Sequence, residues 1–178
     1  YDPEKARFYM KKAGQLDHTF NLHSAEAAFG GATDAAILIK EHAKKAGIKI
    51  NVVREPSDGY WSNVWMKKEW CMCYWGGRPV EDMMFSVAYA DGAPWNDTHW
   101  KNKRFNELLV AARAELNTEK RRRLYYDMQE ICSNDGGTVV PMFNQMVTAN
   151  NSKKVAHGPI SGHMAMDGMR IHERWWMA

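Results

Sequence analysis

Residues 17–53, DHTFNLHSAEAAFGGATDAAILIKEHAKKAGIKINVV, decide the fold. From Asp17 to His23, Phe20 and Leu22 share one face, the two-residue period of a half-buried strand. A small-residue loop follows from Ser24 to Gly31, and Thr33 or Asp34 can cap the helix after it. In that helix Ala35, Leu38, Ile39, His42, Ala43 and Ala46 recur at helical spacing as one stripe, which Gly47 ends. His42, on that stripe, reads as a core or boundary histidine. Ile48, Ile50 and Val52 then alternate with polar residues in a second strand that stops at Pro56. Strand, helix and strand make a β-α-β unit, expected to be parallel with a right-handed crossover.

Working outward, Asp2-Pro3-Glu4 has the marks of a helix start: a side-chain acceptor, a proline in the first turn, and an acid near the positive helix end. Ala6, Tyr9, Met10 and Ala13 continue that helix, and Gly14 suits its end. Downstream, a shorter helix from Asp58 to Lys67 leads to a third strand, Trp70 to Trp75, which breaks at Gly76-Gly77. Two successive β-α-β units predict an α/β fold, a mixed sheet with helices on both faces. The stretch 76–101 follows no clean period apart from a short helix, Glu81 to Ala88, and irregular segments of that length are commonly functional. Phe105, Leu108, Leu109, Ala112 and Leu116 mark the apolar face of one later helix. Leu124, Tyr125, Met128, Ile131 and Cys132 mark that of the next, before Gly136-Gly137. Val139 to Phe143 and Met146 to Ala149 read as two strands around a turn at Asn144.

With 178 residues, 45% of them hydrophobic, the chain can bury one sizeable core. Its net charge is only +3, and the one basic run, Lys120 to Arg123, falls on a helix where a solvated face is the ordinary explanation, so no nucleic-acid partner is expected. No apolar stretch approaches the roughly 20 residues of a membrane span. The chain opens at Tyr1 without a signal peptide, as a mature product or a cut piece does. Cys71, Cys73 and Cys132 are too few and too oddly placed for a disulfide framework, and buried apolar cysteine is the reading for the C-x-C pair. The seven histidines are scattered; His157 and His163, with Met164 and Met166, are a minor soft-metal candidate. No metal or cofactor is expected. Nucleophile-elbow, zinc-protease, P-loop and dinucleotide motifs are missing.

In an open α/β sheet, ligands gather beyond the carboxyl ends of the strands. Two loops meet that condition, Ser24 to Gly31 and Gly76 to Asp82. In the first, Ser24, Glu26 and Phe29 are the candidate contacts. In the second, Gly76 and Gly77 let a ligand approach the backbone, Trp75 supplies a flat wall, Arg78 suits a carboxylate, and Glu81 or Asp82 suits an ammonium group. Trp61 and Trp95 complete the candidate wall. The competing class is a small metal-dependent or carboxylate-using hydrolase built on Glu81, Asp82 and a histidine.

Several segments carry a resemblance. Tyr1-Asp2-Pro3-Glu4-Lys5-Ala6 with Ala13-Gly14, Ala46-Gly47-Ile48 and the strand through Val53 make one group. Tyr74-Trp75-Gly76, Phe105-Asn106-Glu107-Leu108-Leu109 with Ala112-Arg113, the Arg121 to Gln129 helix and Val140-Pro141-Met142-Phe143 make the other. In this order and spacing the chain resembles the C-terminal lobe of bacterial extracellular solute-binding proteins of the dipeptide/oligopeptide/nickel ABC-importer class, family 5, over nearly its whole length. The resemblance implies a periplasmic binding module and no enzyme. Its partners would be a peptide or amino-acid-derived ligand, a membrane permease, and an N-terminal lobe of the same chain, toward which the tail from about Asp167 returns. The family's dipeptide binders commonly hold the ligand's amino end with an acid after the Trp-Gly strand, here Val80, Glu81 or Asp82 depending on the gap. They often hold the carboxyl end with a base after the first strand, and 24–29 offers none. That departure keeps opines, longer peptides and other amino-acid derivatives open, with Arg78 as the replacement positive charge.

Overall fold

The structure is a computed structural model that describes residues 1–178. It divides into two compact units, Tyr1–Trp75 and Gly76–Ala178, each with its own core.

In the first unit, helix α1 (Pro3–Lys12) starts as its sequence predicts: the Asp2 carboxylate accepts from the Lys5 amide at 2.9 Å. Strands β1 (Thr19–Ser24) and β2 (Lys49–Arg54) pair in parallel, with Thr19 opposite Lys49 and Ser24 opposite Arg54. Helix α2 (Ala32–Lys44) connects them. Its end is closed by Gly47 at φ +77°, a left-handed conformation that lets the Ile48 amide return to the Ala43 carbonyl at 3.2 Å. The face that α2 buries is set by alanines: Ala32 and Ala36 are fully buried, and Ala35, Ile39 and Ala43 pack beside them. Leu38 and His42, expected on that stripe, are exposed. Small side chains let the helix backbone come close to Leu22 and Ile50, and the bulkier leucine edge turns to solvent.

The helix expected over 58–67 is a single turn, α3 (Tyr60–Asn63), entered through Gly59 at φ +72°; Met66 at φ +57° prevents continuation. The third strand contributes one parallel bridge, His23 to Cys71, with hydrogen bonds from His23 to the Trp70 carbonyl at 3.0 Å and from Met72 to the His23 carbonyl at 2.8 Å. Pairing stops there because β1 ends at Ser24. The Met72 carbonyl instead accepts from the buried Tyr60 hydroxyl at 2.6 Å.

In the second unit, α4 (Glu81–Met84) runs into a π-helical turn, Phe85–Tyr89, where one helix was expected. Helices α5 (Lys103–Ala114) and α6 (Thr118–Asp135) are capped by Asn102 and Asn117, whose side chains accept from Phe105 and Lys120. Phe105 and Met128 are fully buried, with Phe85, Leu108, Leu109 and Ala112 around them. Leu116, past the last turn of α5, is 90% exposed. The basic run is a solvated helix face: Arg122 pairs with Glu119 at 3.6 Å and Arg123 with Asp127 at 2.9 Å.

The two strands expected between Val139 and Ala149 do not form. Val139, Phe143 and Val147 are exposed and no ladder hydrogen bond holds the segment. Alternating side chains prepare a strand, but a strand also needs a neighbour to accept its backbone groups. The tail forms a two-stranded antiparallel ribbon, β3 (Val155–His157) with β4 (Trp175–Met177). Between these strands lie α7 (Ala165–Met169), left-handed at Met166, Asp167 and Gly168, and α8 (Ile171–Arg174).

Candidate functional site

Because β1, β2 and the bridged segment at Cys71 are parallel, the loops after all three leave by one rim of the first unit. On this rim the His23 imidazole meets the Glu55 carboxylate at 2.6 Å, both largely buried, and the Glu55 amide donates to the Ser24 carbonyl at 2.9 Å. The Tyr60 hydroxyl also reaches the His23 carbonyl at 3.3 Å. Burial, and next the neighbouring Cys71 and Cys73, push its phenol well above the usual range, so it stays a neutral donor.

An aromatic group stands above this frame. Trp61 touches Tyr60, Trp65 and Tyr74 in edge-to-face arrangements with ring centroids 5.5, 5.9 and 5.6 Å away. Trp61 and Tyr74 remain 40% and 61% exposed, so the group presents open ring surface. Tyr74 was not a sequence candidate, although it adjoins Trp75 in an extended segment. His23 and Glu55 were also missed; their place at the ends of adjacent strands was the available signal.

The polar candidates of the first loop have other duties. Ser24 is fully buried, its hydroxyl without a hydrogen-bond partner. The Glu26 carboxylate accepts from the Gly31 amide at 2.7 Å and the Thr33 amide at 3.5 Å. Glu26 thus caps α2, whose N-cap residue, Gly31, has no side chain to do so, and the Gly31 amide holds its carboxyl below the usual range. Replacing Glu26 with Ala is expected to lower the urea-unfolding midpoint, because the Gly31 and Thr33 amides lose their acceptor. An unchanged midpoint would contradict the capping role. Phe29 packs half-buried against the core.

In the second unit, Asp82 anchors a network. Arg113 donates to both its carboxylate oxygens, Nε at 2.8 Å and Nη2 at 3.1 Å, and the Tyr125 hydroxyl adds a bond at 3.1 Å. Ser86 closes the group by bonding Asp82 and Arg113. The Arg113 hydrogen bonds hold the Asp82 carboxyl below its ordinary range. Glu81 is exposed in the first turn of α4. The Arg78 guanidinium folds back onto the Gly76 carbonyl at 2.8 Å and the Gly77 carbonyl at 3.4 Å. Trp95 is 47% exposed beside buried Asn96, whose side-chain amide donates to the Ala90 and Trp100 carbonyls at 3.2 and 2.7 Å.

Catalytic and metal readings meet different geometry. Burial pushes the Cys132 thiol up to about 12, far from a reactive thiolate. No group of three His, Cys, Asp or Glu side chains is placed to hold a metal ion. An open apolar recess of about 470 Å³ beside Ile171, Trp175 and Met177 includes none of the candidate residues. No helix is long and apolar enough to cross a membrane.

Solved structures supply the comparison that this geometry calls for. NikZ from Campylobacter jejuni, in complex with Ni(L-His), matches with a TM-score of 0.62 at 22% identity, over 74% of this chain and 30% of that one. DppA from Helicobacter pylori, an ABC transporter-associated periplasmic binding protein in complex with the peptide STSA, matches at 0.63 and 21% identity, over 76% and 28%. The fold is that of part of a substrate-binding protein. CtaP of Listeria monocytogenes, an ABC transporter substrate-binding protein, agrees at 0.66 and 17% identity, again over 76% and 28%. The chain thus spans less than a third of the length of these binding proteins. No protein-family model and no curated protein matches it. The periplasmic-binding-protein-like α/β architecture expected from the sequence is the one observed.

Proposed function

We propose that the protein is the solute-binding component of an ABC importer, and that residues 1–178 are its C-terminal lobe. It acts outside the cytoplasm, takes up a peptide or amino-acid-derived solute against an N-terminal lobe of the same chain, and delivers it to a membrane permease. The observation that carries this reading is the rim itself: three parallel segments end together, and exposed Trp61 and Tyr74 stand there on a hydrogen-bonded frame. Binding sites pair such apolar walls with a few fixed polar groups. The exposed apolar side chains of Val139, Phe143 and Val147 suit a surface that the other lobe covers.

Within this reading Phe29, Trp61, Trp75, Gly76, Gly77, Arg78, Glu81 and Trp95 remain proposed ligand contacts. Glu26 and Asp82 act as supports, since their charges are engaged, and Ser24 is buried with no surface to offer a ligand. Of the two carboxylates in the hydrolase reading, Asp82 is held by Arg113 and Tyr125, and Glu81 lies exposed in the first turn of α4.

Calorimetric titration of the full-length protein with dipeptides, longer peptides and opines tests the proposal. One-to-one binding is expected, weakened about 10- to 100-fold by Trp61→Ala, the effect of removing an aromatic anchor. Failure of the whole panel, or affinity indifferent to Trp61→Ala, would contradict it.

A further inference from the structure

We propose that the loop 163–169 binds a soft monovalent cation, copper(I) or silver(I), through the thioethers of Met166 and Met169 and the imidazole of His163. This gives the chain a second binding activity, beyond solute capture. Met166, Asp167, Gly168 and Met169 all have left-handed backbone, with φ of +53°, +56°, +73° and +63°. The turn is closed by the Gly168 amide on the Met164 carbonyl at 3.3 Å and the Arg170 amide on the Met166 carbonyl at 3.2 Å. Three of its four residues are not glycine, and L side chains adopt this conformation only where the surroundings impose it.

Asp167 supplies that constraint. Its buried carboxylate accepts from the Ser161 amide at 2.6 Å, Arg174 Nε at 2.8 Å and the Trp175 indole at 3.1 Å. A left-handed turn steps about 100° per residue, as its right-handed mirror does. Passing around the turn, the side-chain positions therefore follow in the order Met166, Met169, Gly168, Asp167. With Asp167 fixed inward, Met169 falls on the opposite, outward side with Met166 next to it, and both are exposed. Gly168 has no side chain, and the His163 ring takes that place: a Cβ at Gly168 would lie 3.3 Å from His163 Cε1 and 3.2 Å from Ser161 Oγ. Two thioethers and an imidazole thus occupy three successive positions around one pinned turn.

The second ring nitrogen of His163 is held as metal-binding histidines usually are. Nδ1 and the Ser161 hydroxyl are 2.6 Å apart, and with Nδ1–H donating, Nε2 keeps its lone pair for a metal. Thioether and imidazole are soft, uncharged ligands, which suit copper(I) and silver(I) over harder divalent ions. The turn's own carboxylate points inward and is paired with Arg174, so no negative charge is offered to a dication. Of the soft-metal candidates in the sequence, His163 and Met166 belong to this turn and Met164 lies just before it. His157 instead stacks on Trp175 with ring centroids 4.6 Å apart, and Met169, which the sequence pattern did not single out, joins the set.

Silver(I) titration of the full-length protein, labelled with 13C at the methionine methyl groups, tests the site by NMR. Cys71, Cys73 and Cys132 compete for soft metals, so the titration uses a C71S/C73S/C132S background, and thermal midpoints without metal report whether each variant folds. If that background does not fold, the same resonances are followed in the parent protein beyond three equivalents of silver. The Met166 and Met169 methyl resonances and the His163 ring resonances are expected to move together and saturate at one equivalent for the site. M166L and M169L, which keep the apolar shape and remove the sulfur, should each weaken binding about tenfold or more. Nickel(II) and zinc(II) should leave both methyl resonances in place. Unmoved Met166 and Met169 methyls, an unmoved His163 ring, affinity indifferent to both leucine variants, or an equal response to nickel(II) would overturn the site.

Discussion

Asp82→Asn is expected to lower the unfolding free energy by about 2 kcal/mol at neutral pH, while solute affinity changes by less than about twofold. The carboxylate receives two bonds from Arg113 and one from Tyr125, and its side chain is 27% exposed. An amide retains the shape but not the charge, and it turns an N–H group toward one of these donors. The pH dependence has a definite sign. The folded-state pKa of Asp82 is lowered by the Arg113 hydrogen bonds, so its contribution is fully present above the unfolded-state value of about 3.9. It is lost as pH falls through the depressed folded-state value. Urea unfolding at pH 7 and at successively lower pH should therefore show parent and variant converging in acid. Weakened solute binding with unchanged stability would instead return Asp82 to the ligand's ammonium group.

Phe105→Ala should cost about 3–5 kcal/mol, a large part of the 5–15 kcal/mol typical of whole domains. Phe105 is fully buried, and Phe85 and Trp100 meet its ring edge-on at centroid distances of 5.2 and 5.1 Å. Truncation therefore leaves a cavity between α5 and the segment 85–100. Leu116→Ala supplies the contrast. That side chain belongs to the same periodic series but is 90% exposed, and its loss should stay within about 0.5 kcal/mol. Similar urea midpoints for the two variants would place the core of the second unit elsewhere.

The pair shows where local pattern stops being informative. Periodicity located α5 and most of its buried face, but the helix ended at Ala114 and left Leu116 outside. In α2 the pattern weighted Leu38 above Ala32 and Ala36, whereas close approach to the strands favours the smaller residues. The β-α-β unit was legible because each segment carries its own period and its own stop signal. The 139–149 segment had the strand period and lacked a partner, a condition that no single-segment pattern contains. For the site, the rim and its aromatic content could be read from strand ends and composition. The duties of the charges could not: Asp82 meets Arg113 31 residues away and Tyr125 43 residues away, and Glu26 turns back to cap a helix.

Hydrogen–deuterium exchange of the full-length protein, with and without the tightest-binding member of the solute panel, tests the central claim most directly. Amides in 24–31, 55–61 and 72–78 are expected to slow together on binding, as the loops after the three parallel segments become covered. Slowed exchange confined to other segments, with these three unaffected, would contradict a solute-binding rim.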